Sequence, residues 1–121
     1  MEEQRSRAAR GAFSRLRELA PDVVEHYEAL SERTRTAGPL DAATVALVKV
    51  AVSIGAGSWR SVHAHARKAL EAGVTPEGLR HAVVAALPTL GLPATLDALR
   101  WIDETVAEWS EREADATSRP R

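Results

Sequence analysis

The centre of the chain reads Gly57-Ser58-Trp59-Arg60-Ser61-Val62-His63-Ala64-His65 and separates two segments of different character. The segment before it, Ala42–Ile54, is apolar at almost every position. In the segment after it, apolar residues recur every three or four positions as far as Gly73, which is typical of an amphipathic helix. Ser58 is a suitable N-cap for a helix over residues 59–72. The centre therefore predicts a turn followed by the start of a helix.

The segment Ala42–Ile54 admits two interpretations. Its many β-branched residues are compatible with a strand, but its length and the lack of a period-two alternation favour a helix. Asp41 is a good N-cap at its start. A helix that is apolar on all sides is expected to be buried on all sides, and Lys49 is the one charged residue within this segment.

Four further amphipathic segments flank these two helices, so the chain is predicted to be all-α with about six helices. Proline and glycine separate the segments, and Pro88 is expected to kink or end the fifth helix. Residues 1–113 are predicted to form a single domain, and residues 114–121 a disordered C-terminal tail. The expected helices are Glu2–Leu19, Asp22–Thr36, Ala42–Ile54, Trp59–Ala72, a helix from Thr75 to about Pro88, and Ala94 to about Glu113.

The composition argues against several classes of function. Lys and Arg total 16 and Asp and Glu total 17, so there is no basic surplus for a phosphate backbone and no nucleic-acid partner is expected. The charged N-terminus lacks the apolar region of a signal peptide and no apolar run is long enough to span a bilayer, so we expect a cytoplasmic protein without a membrane partner. Aromatic residues make up only 4% of the chain, and a small core of Ala, Val and Leu is often completed by oligomerisation.

Four features follow one another between Leu40 and Ala98: the apolar helix after Leu40-Asp41, then His65, then Gly73-Val74-Thr75-Pro76-Glu77, then Gly91-Leu92-Pro93-Ala94. In this order and spacing they resemble the carboxymuconolactone decarboxylase and alkylhydroperoxidase D-like family. The resemblance implies an all-helical alkylhydroperoxidase D-like domain. It also implies that the chain assembles with copies of itself, as a homotrimer or homohexamer.

The resemblance assigns positions to the catalytic residues of the family. Its peroxidase branch has a Cys-x-x-Cys pair at the start of the helix that holds the conserved histidine, and those positions fall on Ser58 and Ser61. The usual glutamate falls on Ala46, so only His65 of this set remains. Because the chain contains no cysteine and a hydroxyl cannot cycle through sulfenate and disulfide, thiol peroxidase activity is predicted to be absent.

Lys49 and His65 are the candidate catalytic residues. Lys49 follows Ala46 by three positions, so the two are predicted to share a helix face, where desolvation lowers the pKa of a lysine. The alternative for Lys49 is a stem that crosses apolar surface and an ammonium group that reaches water. His65 is a general acid or base in the functional interpretation, and a buried, hydrogen-bonded structural residue in the alternative.

Substrate-binding roles are predicted for Ser58, Trp59, Ser61 and Ala46. The serine hydroxyls suit a carboxylate or carbonyl of a ligand, although an N-cap is the simpler role for Ser58. Trp59 suits a pocket wall or a subunit contact. His63 and His65 are two positions apart and therefore point to roughly opposite sides of a helix, so no metal site is predicted, and no cofactor is expected.

The sequence leaves two functions open. The first is a cofactor-independent enzyme of the lyase or isomerase type that acts on a small organic acid or lactone, with His65 moving protons and Lys49 replacing the lost carboxylate. The second is a catalytically silent descendant that binds a small molecule or serves as an oligomeric scaffold. A Lys49 side chain in a pocket beside His65 favours the enzyme, and one in bulk solvent or a structural ion pair favours the silent protein.

Overall fold

The structure is a computed structural model that describes Gly11 and residues 13–118. Within these residues the chain is all-α and contains no strand, which confirms the predicted fold class. Residues 1–10, 12 and 119–121 lie outside the described residues, and with them most of the predicted first helix and the end of the predicted tail. The helices are α1 (13–19), α2 (Pro21–Arg35), α3 (Ala42–Ala56), α4 (Trp59–Glu71), α5 (Pro76–Leu90) and α6 (Leu92–Ser118).

The apolar segment forms α3 rather than a strand, and two flanking residues set its ends. Asp41 accepts a hydrogen bond from the backbone N–H of Thr44 at 2.8 Å, as expected of an N-cap. Gly57 has a φ of 69°, a left-handed conformation that glycine adopts without steric cost, and its N–H donates to the carbonyl of Ile54 at 3.0 Å. Ser58 then caps α4, so the centre of the chain is a tight turn between two helices.

The core lies between α3, α4, α5 and α6, which pack against one another. Alanines on α4 and α6 are fully buried there, and such small side chains let helix axes approach closely. Trp101 and Trp109 pack against this core but are only partly buried. The largest fully buried core side chains on these helices are Val50, Val62, Leu79, Val83 and Ile102.

The expectation that α3 is buried on all sides is wrong for the single chain. Only Val50, Ser53 and Ile54 of this helix are buried, whereas the side chains of Val48 and Val52 are 47% and 66% exposed. The reason is the position of α3 at the edge of the bundle, where α4, α5 and α6 cover one side of it. Its other side is an apolar surface.

The boundaries of the last two helices also differ from expectation. Helix α5 continues through Pro88 to Leu90, because a proline in the last turn removes only a bond near the helix end. Helix α6 begins at Leu92 and extends to Ser118, so the predicted disordered tail is wrong for residues 114–118. Ala114 and Ala116 have a high helix propensity, and in the turns just before them the side chain of Arg112 donates to Glu108, four positions earlier, at 3.4 Å.

The first two helices form a hairpin beside this core. The guanidinium of Arg17 donates to the carboxylate of Glu28 at 2.6 Å, and the rings of Phe13 and Tyr27 lie 6.4 Å apart, so α1 and α2 contact each other. Val24 is the one buried residue of α2. The hairpin is therefore anchored by few apolar contacts, and it forms one wall of a cleft.

Candidate functional site

A cleft of about 980 Å³ lies between the α1–α2 hairpin and the faces of α3, α4 and α6. It is open to solvent along part of its length. Its apolar lining includes Phe13 and Leu30 from the hairpin, Val52 from α3 and Trp109 from α6. The cleft has the size of a small-molecule site, since such sites typically occupy several hundred cubic ångströms.

The polar lining of the cleft is strongly basic. Among the described residues that line it, seven are arginine or lysine and three are glutamate, although the whole chain has a net charge of -1. One arginine comes from α1, one from α2 and one from α6, and α3 contributes a lysine. Three of the arginines pair with the three glutamates, at 2.6, 2.8 and 3.4 Å, so seven positive and three negative charges leave an excess of four positive charges in the lining. The basic residues are Arg17, Arg35, Lys49, Arg60, Arg67, Lys68 and Arg112.

Lys49 and His65, the two predicted catalytic residues, both line this cleft. Burial lowers the pKa of Lys49, and the positive charges of Arg35 and Lys68 lower it further. Burial also lowers the pKa of His65, with Lys68 and then Lys49 acting in the same direction. Arg35, Lys49 and Lys68 lie on three helices, and their positive charges repel one another across the cleft.

Ser58 and Ser61 lie at the N-terminus of α4 and hydrogen-bond to each other. The Ser58 hydroxyl accepts from the backbone N–H of Ser61 at 3.3 Å and donates to its hydroxyl at 3.1 Å. Ser58 is thus the predicted N-cap, and it is not part of the cleft lining. Ser61 lines the cleft next to the first turn of α4.

Ala46 and Trp59, two of the predicted substrate-binding residues, do not line this cleft. Ala46 packs against the apolar core, on a different side of α3 from the cleft-lining Lys49, because a separation of three residues still rotates two side chains apart. Trp59 does not line the cleft; the Arg60 guanidinium lies 5.3 Å from its ring centre, and the His63 ring meets it edge-on at 6.1 Å. Neither Ala46 nor Trp59 therefore contributes to the cleft.

His63 is the residue whose role the sequence left undefined. It is only 5% exposed, with its Nδ1 2.7 Å from the hydroxyl of Thr105 and its Nε2 3.1 Å from the carboxylate of Glu104. The spacing of His63 in the sequence could have indicated that it is buried. It precedes the buried Ala66 by three positions and Leu70 by seven, so all three lie on the inner face of α4. Its partners on α6, Glu104 and Thr105, could not be identified from the sequence, because only the packing of α4 against α6 brings them close to His63.

The profile of the carboxymuconolactone decarboxylase family matches residues 21–104. The chain belongs to this family. The match extends from the start of α2 into α6 and includes Arg35, Lys49 and His65 of the cleft. Searches among curated proteins and solved structures found no match. Because this family member contains no cysteine, it has no thiol for a peroxidase reaction.

Two kinds of feature are absent from the described residues: a helix able to span a membrane and a cluster of metal-binding side chains. None of its described helices combines the length and the apolar character that crossing a bilayer requires. No group of three or more His, Asp or Glu side chains suited to a metal ion occurs in residues 13–118.

The lowered pKa of His65 predicts a specific effect on stability. In the unfolded chain His65 takes up a proton near pH 6.5, whereas in the folded chain its pKa is lower. Protonation therefore favours the unfolded chain, so the contribution of His65 to the free energy of unfolding is full above about pH 6.5 and is lost as the pH falls. We expect His65→Asn to reduce the loss of unfolding free energy between pH 7.5 and 5, measured by urea titration. His81→Asn, at an exposed position on α5, is the control. Equal pH profiles for His65→Asn and the natural chain would contradict the prediction.

Proposed function

We propose that the cleft binds a small organic acid or lactone and that the protein is a cofactor-independent enzyme of the lyase or isomerase type. The observation that supports this best is the basic lining of a cleft in a chain with no net positive charge. Carboxylates are the natural ligands of clustered arginine and lysine side chains. Membership in the carboxymuconolactone decarboxylase family agrees with a ligand of this class.

In this proposal His65 and Lys49 act on the bound anion. His65 is held in its neutral form by burial and by neighbouring cations, so its imidazole is able to accept a proton from a carbon or oxygen of the ligand. Lys49 neutralises the carboxylate and stabilises negative charge that develops as the bond breaks. The Ser61 hydroxyl is within the lining and orients the ligand by donating a hydrogen bond.

The test of the binding step uses a matched pair of small molecules. Succinate and its uncharged diamide have similar shapes, so a difference in affinity reports the charge of the cleft. We expect succinate to bind at pH 7 and to shift the histidine NMR signals, with the affinity falling as salt is added. Equal binding of the diamide, or no binding of succinate, would contradict the proposal.

One observation favours the silent alternative, a small-molecule-binding or scaffold protein of the same fold. The family glutamate is replaced by Ala46, which packs against the core, and Ser58 caps a helix, so two of the assigned catalytic positions carry structural side chains. Turnover separates the two functions. A chain that binds succinate and lactone acids but converts none of a panel of unsaturated lactone acids is the silent protein.

We also propose that copies of the chain associate through the apolar side of α3, as a homotrimer or homohexamer. Val48 and Val52 are exposed on this side, and Val52 also lines the cleft, so the apolar surface is continuous with the site. Burying such a face stabilises an assembly by roughly 25 cal/mol for each square ångström of apolar surface. The neighbouring subunit then closes one side of the cleft.

Val48→Glu tests this interface, because a charge in its centre opposes burial. We expect light scattering to show a multiple of 13.1 kDa for the natural chain and a mass close to the single-chain value for Val48→Glu. Glu111→Lys, at an exposed position near the end of α6, is the control and retains the assembly. A monomeric natural chain, or an unchanged mass for Val48→Glu, would contradict this interface.

A further inference from the structure

His63 joins α4 to α6 through two hydrogen bonds made by both of its ring nitrogens. Nδ1 lies 2.7 Å from the hydroxyl oxygen of Thr105, and Nε2 lies 3.1 Å from a carboxylate oxygen of Glu104. His63 and Thr105 are buried, and the side chain of Glu104 is 20% exposed. Trp59 packs edge-on against the ring from one turn earlier in α4, which limits its rotation. The imidazole is therefore held in one orientation.

The hydrogen-bond partners determine how many protons this cluster holds. The Thr105 hydroxyl has one proton, which it donates to the carbonyl of Trp101 at 2.9 Å. When Nδ1 of His63 carries a proton, the Thr105 oxygen accepts that proton's hydrogen bond at 2.7 Å. A carboxylate oxygen at 3.1 Å from Nε2 requires a proton between the two atoms as well. With both ring nitrogens protonated, the arrangement is an imidazolium paired with a carboxylate.

A second arrangement of the same atoms holds one proton fewer. If Nδ1 loses its proton, the Thr105 hydroxyl rotates from the Trp101 carbonyl and donates to Nδ1 instead. His63 then stays neutral and keeps its Nε2–H toward Glu104. The two arrangements differ by one proton and by the rotation of one hydroxyl group.

This cluster borders the cleft from the side of α6. His63 and Thr105 both contribute to its lining, although little of either side chain is exposed. Glu104 reaches solvent on the other side of α6, where hydration makes a charged carboxylate less costly than full burial does. Among the described residues, the charged and titratable groups that face the same cleft are Arg17 on α1, Tyr27, Glu28, Glu32 and Arg35 on α2, Lys49 on α3, Arg60, His65, Arg67 and Lys68 on α4, and Glu108 and Arg112 on α6.

We propose that the His63–Glu104 pair stores the proton that the cleft delivers to its ligand, with the Thr105 hydroxyl as the group that touches the ligand. The carboxylate partner of the histidine then comes from α6, in place of the glutamate that the family resemblance assigns to Ala46. This inference rests on the proposed function, because it needs a ligand that forms a carbanion or enolate. His65 on the opposite side of α4 removes a proton, and the His63 cluster returns one.

The proton transfer balances in two steps. The carbanionic carbon of the ligand forms a C–H bond with the Thr105 hydroxyl proton, and the hydroxyl oxygen takes the Nδ1 proton as the Nδ1–H electron pair returns to nitrogen. The imidazolium becomes a neutral imidazole and the ligand loses its negative charge at carbon. After the product leaves, His65 releases to water the proton that it removed, and water returns one proton to Nδ1 through the same hydroxyl, so both histidines regain their starting states. No other reactant is consumed.

The charge state of His63 is testable without a ligand. In protein labelled with ¹⁵N-histidine, we expect the His63 nitrogen signals at pH 7.5 to show both nitrogens protonated. Glu104→Gln keeps a hydrogen-bond acceptor but removes the negative charge, and it is expected to convert His63 to the neutral form while the His65 signals stay in place. A neutral His63 in the natural chain, or an unchanged imidazolium in Glu104→Gln, would overturn the proposal. Glu104→Asn, which also removes the charge, replaces Glu104→Gln if that variant does not fold.

The donor role needs a second measurement that a purely structural ion pair would not affect. Levulinate is a keto acid whose enolisation is seen by NMR as deuterium uptake from D₂O. We expect the natural chain to accelerate this uptake and Thr105→Val to reduce the acceleration about a hundredfold with levulinate affinity unchanged. Thr105→Ser retains the hydroxyl group and is expected to accelerate deuterium uptake as the natural chain does. The donor role is contradicted if the natural chain does not accelerate the uptake, or if Thr105→Val accelerates it fully. If levulinate and succinate do not bind, the result contradicts the proposed function instead.

Discussion

Replacing Lys49 with alanine is expected to weaken succinate binding about tenfold, and replacing it with glutamate about a hundredfold. Lys49 projects from an otherwise apolar helix into a cleft where Arg35 and Lys68 are close enough to lower its pKa. Lys49→Ala removes one positive charge from the cleft, and Lys49→Glu lowers the charge of the cleft by two. Isothermal titration calorimetry at pH 7 and low ionic strength measures the affinity for succinate. Added salt is expected to reduce the difference in affinity between the variants.

Arg100→Ala is the matched control for this experiment. Arg100 lies on α6, is largely exposed and forms an ion pair with Asp97 at 3.6 Å outside the cleft. Its removal changes the net charge of the chain by the same amount as Lys49→Ala. If both alanine variants lose succinate affinity equally, the overall charge of the molecule attracts the anion and the cleft does not bind it specifically.

Ile102→Ala is expected to lower the free energy of unfolding by about 3 kcal/mol. Ile102 lies on α6 in the centre of the core, is fully buried, and belongs to the same cluster as Val62 and Leu79. The shortened side chain leaves a cavity that rigid helices fill only in part. Because domains of this size are stable by only about 5–15 kcal/mol, the loss is a large fraction of the total. Urea denaturation followed by circular dichroism measures it.

Leu96→Ala provides the comparison within the same helix. Leu96 is more than half exposed, so its truncation is expected to change the unfolding free energy by less than about 0.5 kcal/mol. A loss at Ile102→Ala no greater than at Leu96→Ala would mean that α6 does not pack on the core as described.

Most of the fold was predictable from local signals. Asp41, Ser58 and Thr75 each cap a helix as their side chains predict, and Gly57 ends α3 in a left-handed conformation. These assignments depend on hydrogen bonds between residues three or four positions apart, which the sequence displays directly. The end of α6 was mispredicted, because a polar, charged segment is compatible with both a frayed tail and an extended surface helix.

The candidate site was predictable only in part. Lys49 and His65 were identified as candidate residues because a charge in an apolar helix and a histidine at a family position are visible in the sequence, and both line the cleft. Ala46 was assigned to the site by the family resemblance and Trp59 as an aromatic residue suited to a pocket wall or a subunit contact, and neither lines the cleft of the single chain. The basic lining was not foreseen, since its arginines come from four helices whose relative positions depend on packing.

By itself the sequence determined that this chain is helical, that it lacks thiol chemistry and that it resembles the family to which it belongs, because helix caps, hydrophobic spacing and residue types are local properties. Only the tertiary structure decided which charges share a cleft and which histidine has a carboxylate partner. His63 and Glu104 are 41 positions apart, and only the packing of α4 on α6 brings them to 3.1 Å. The same packing leaves one side of α3 exposed, which its largely apolar sequence did not indicate.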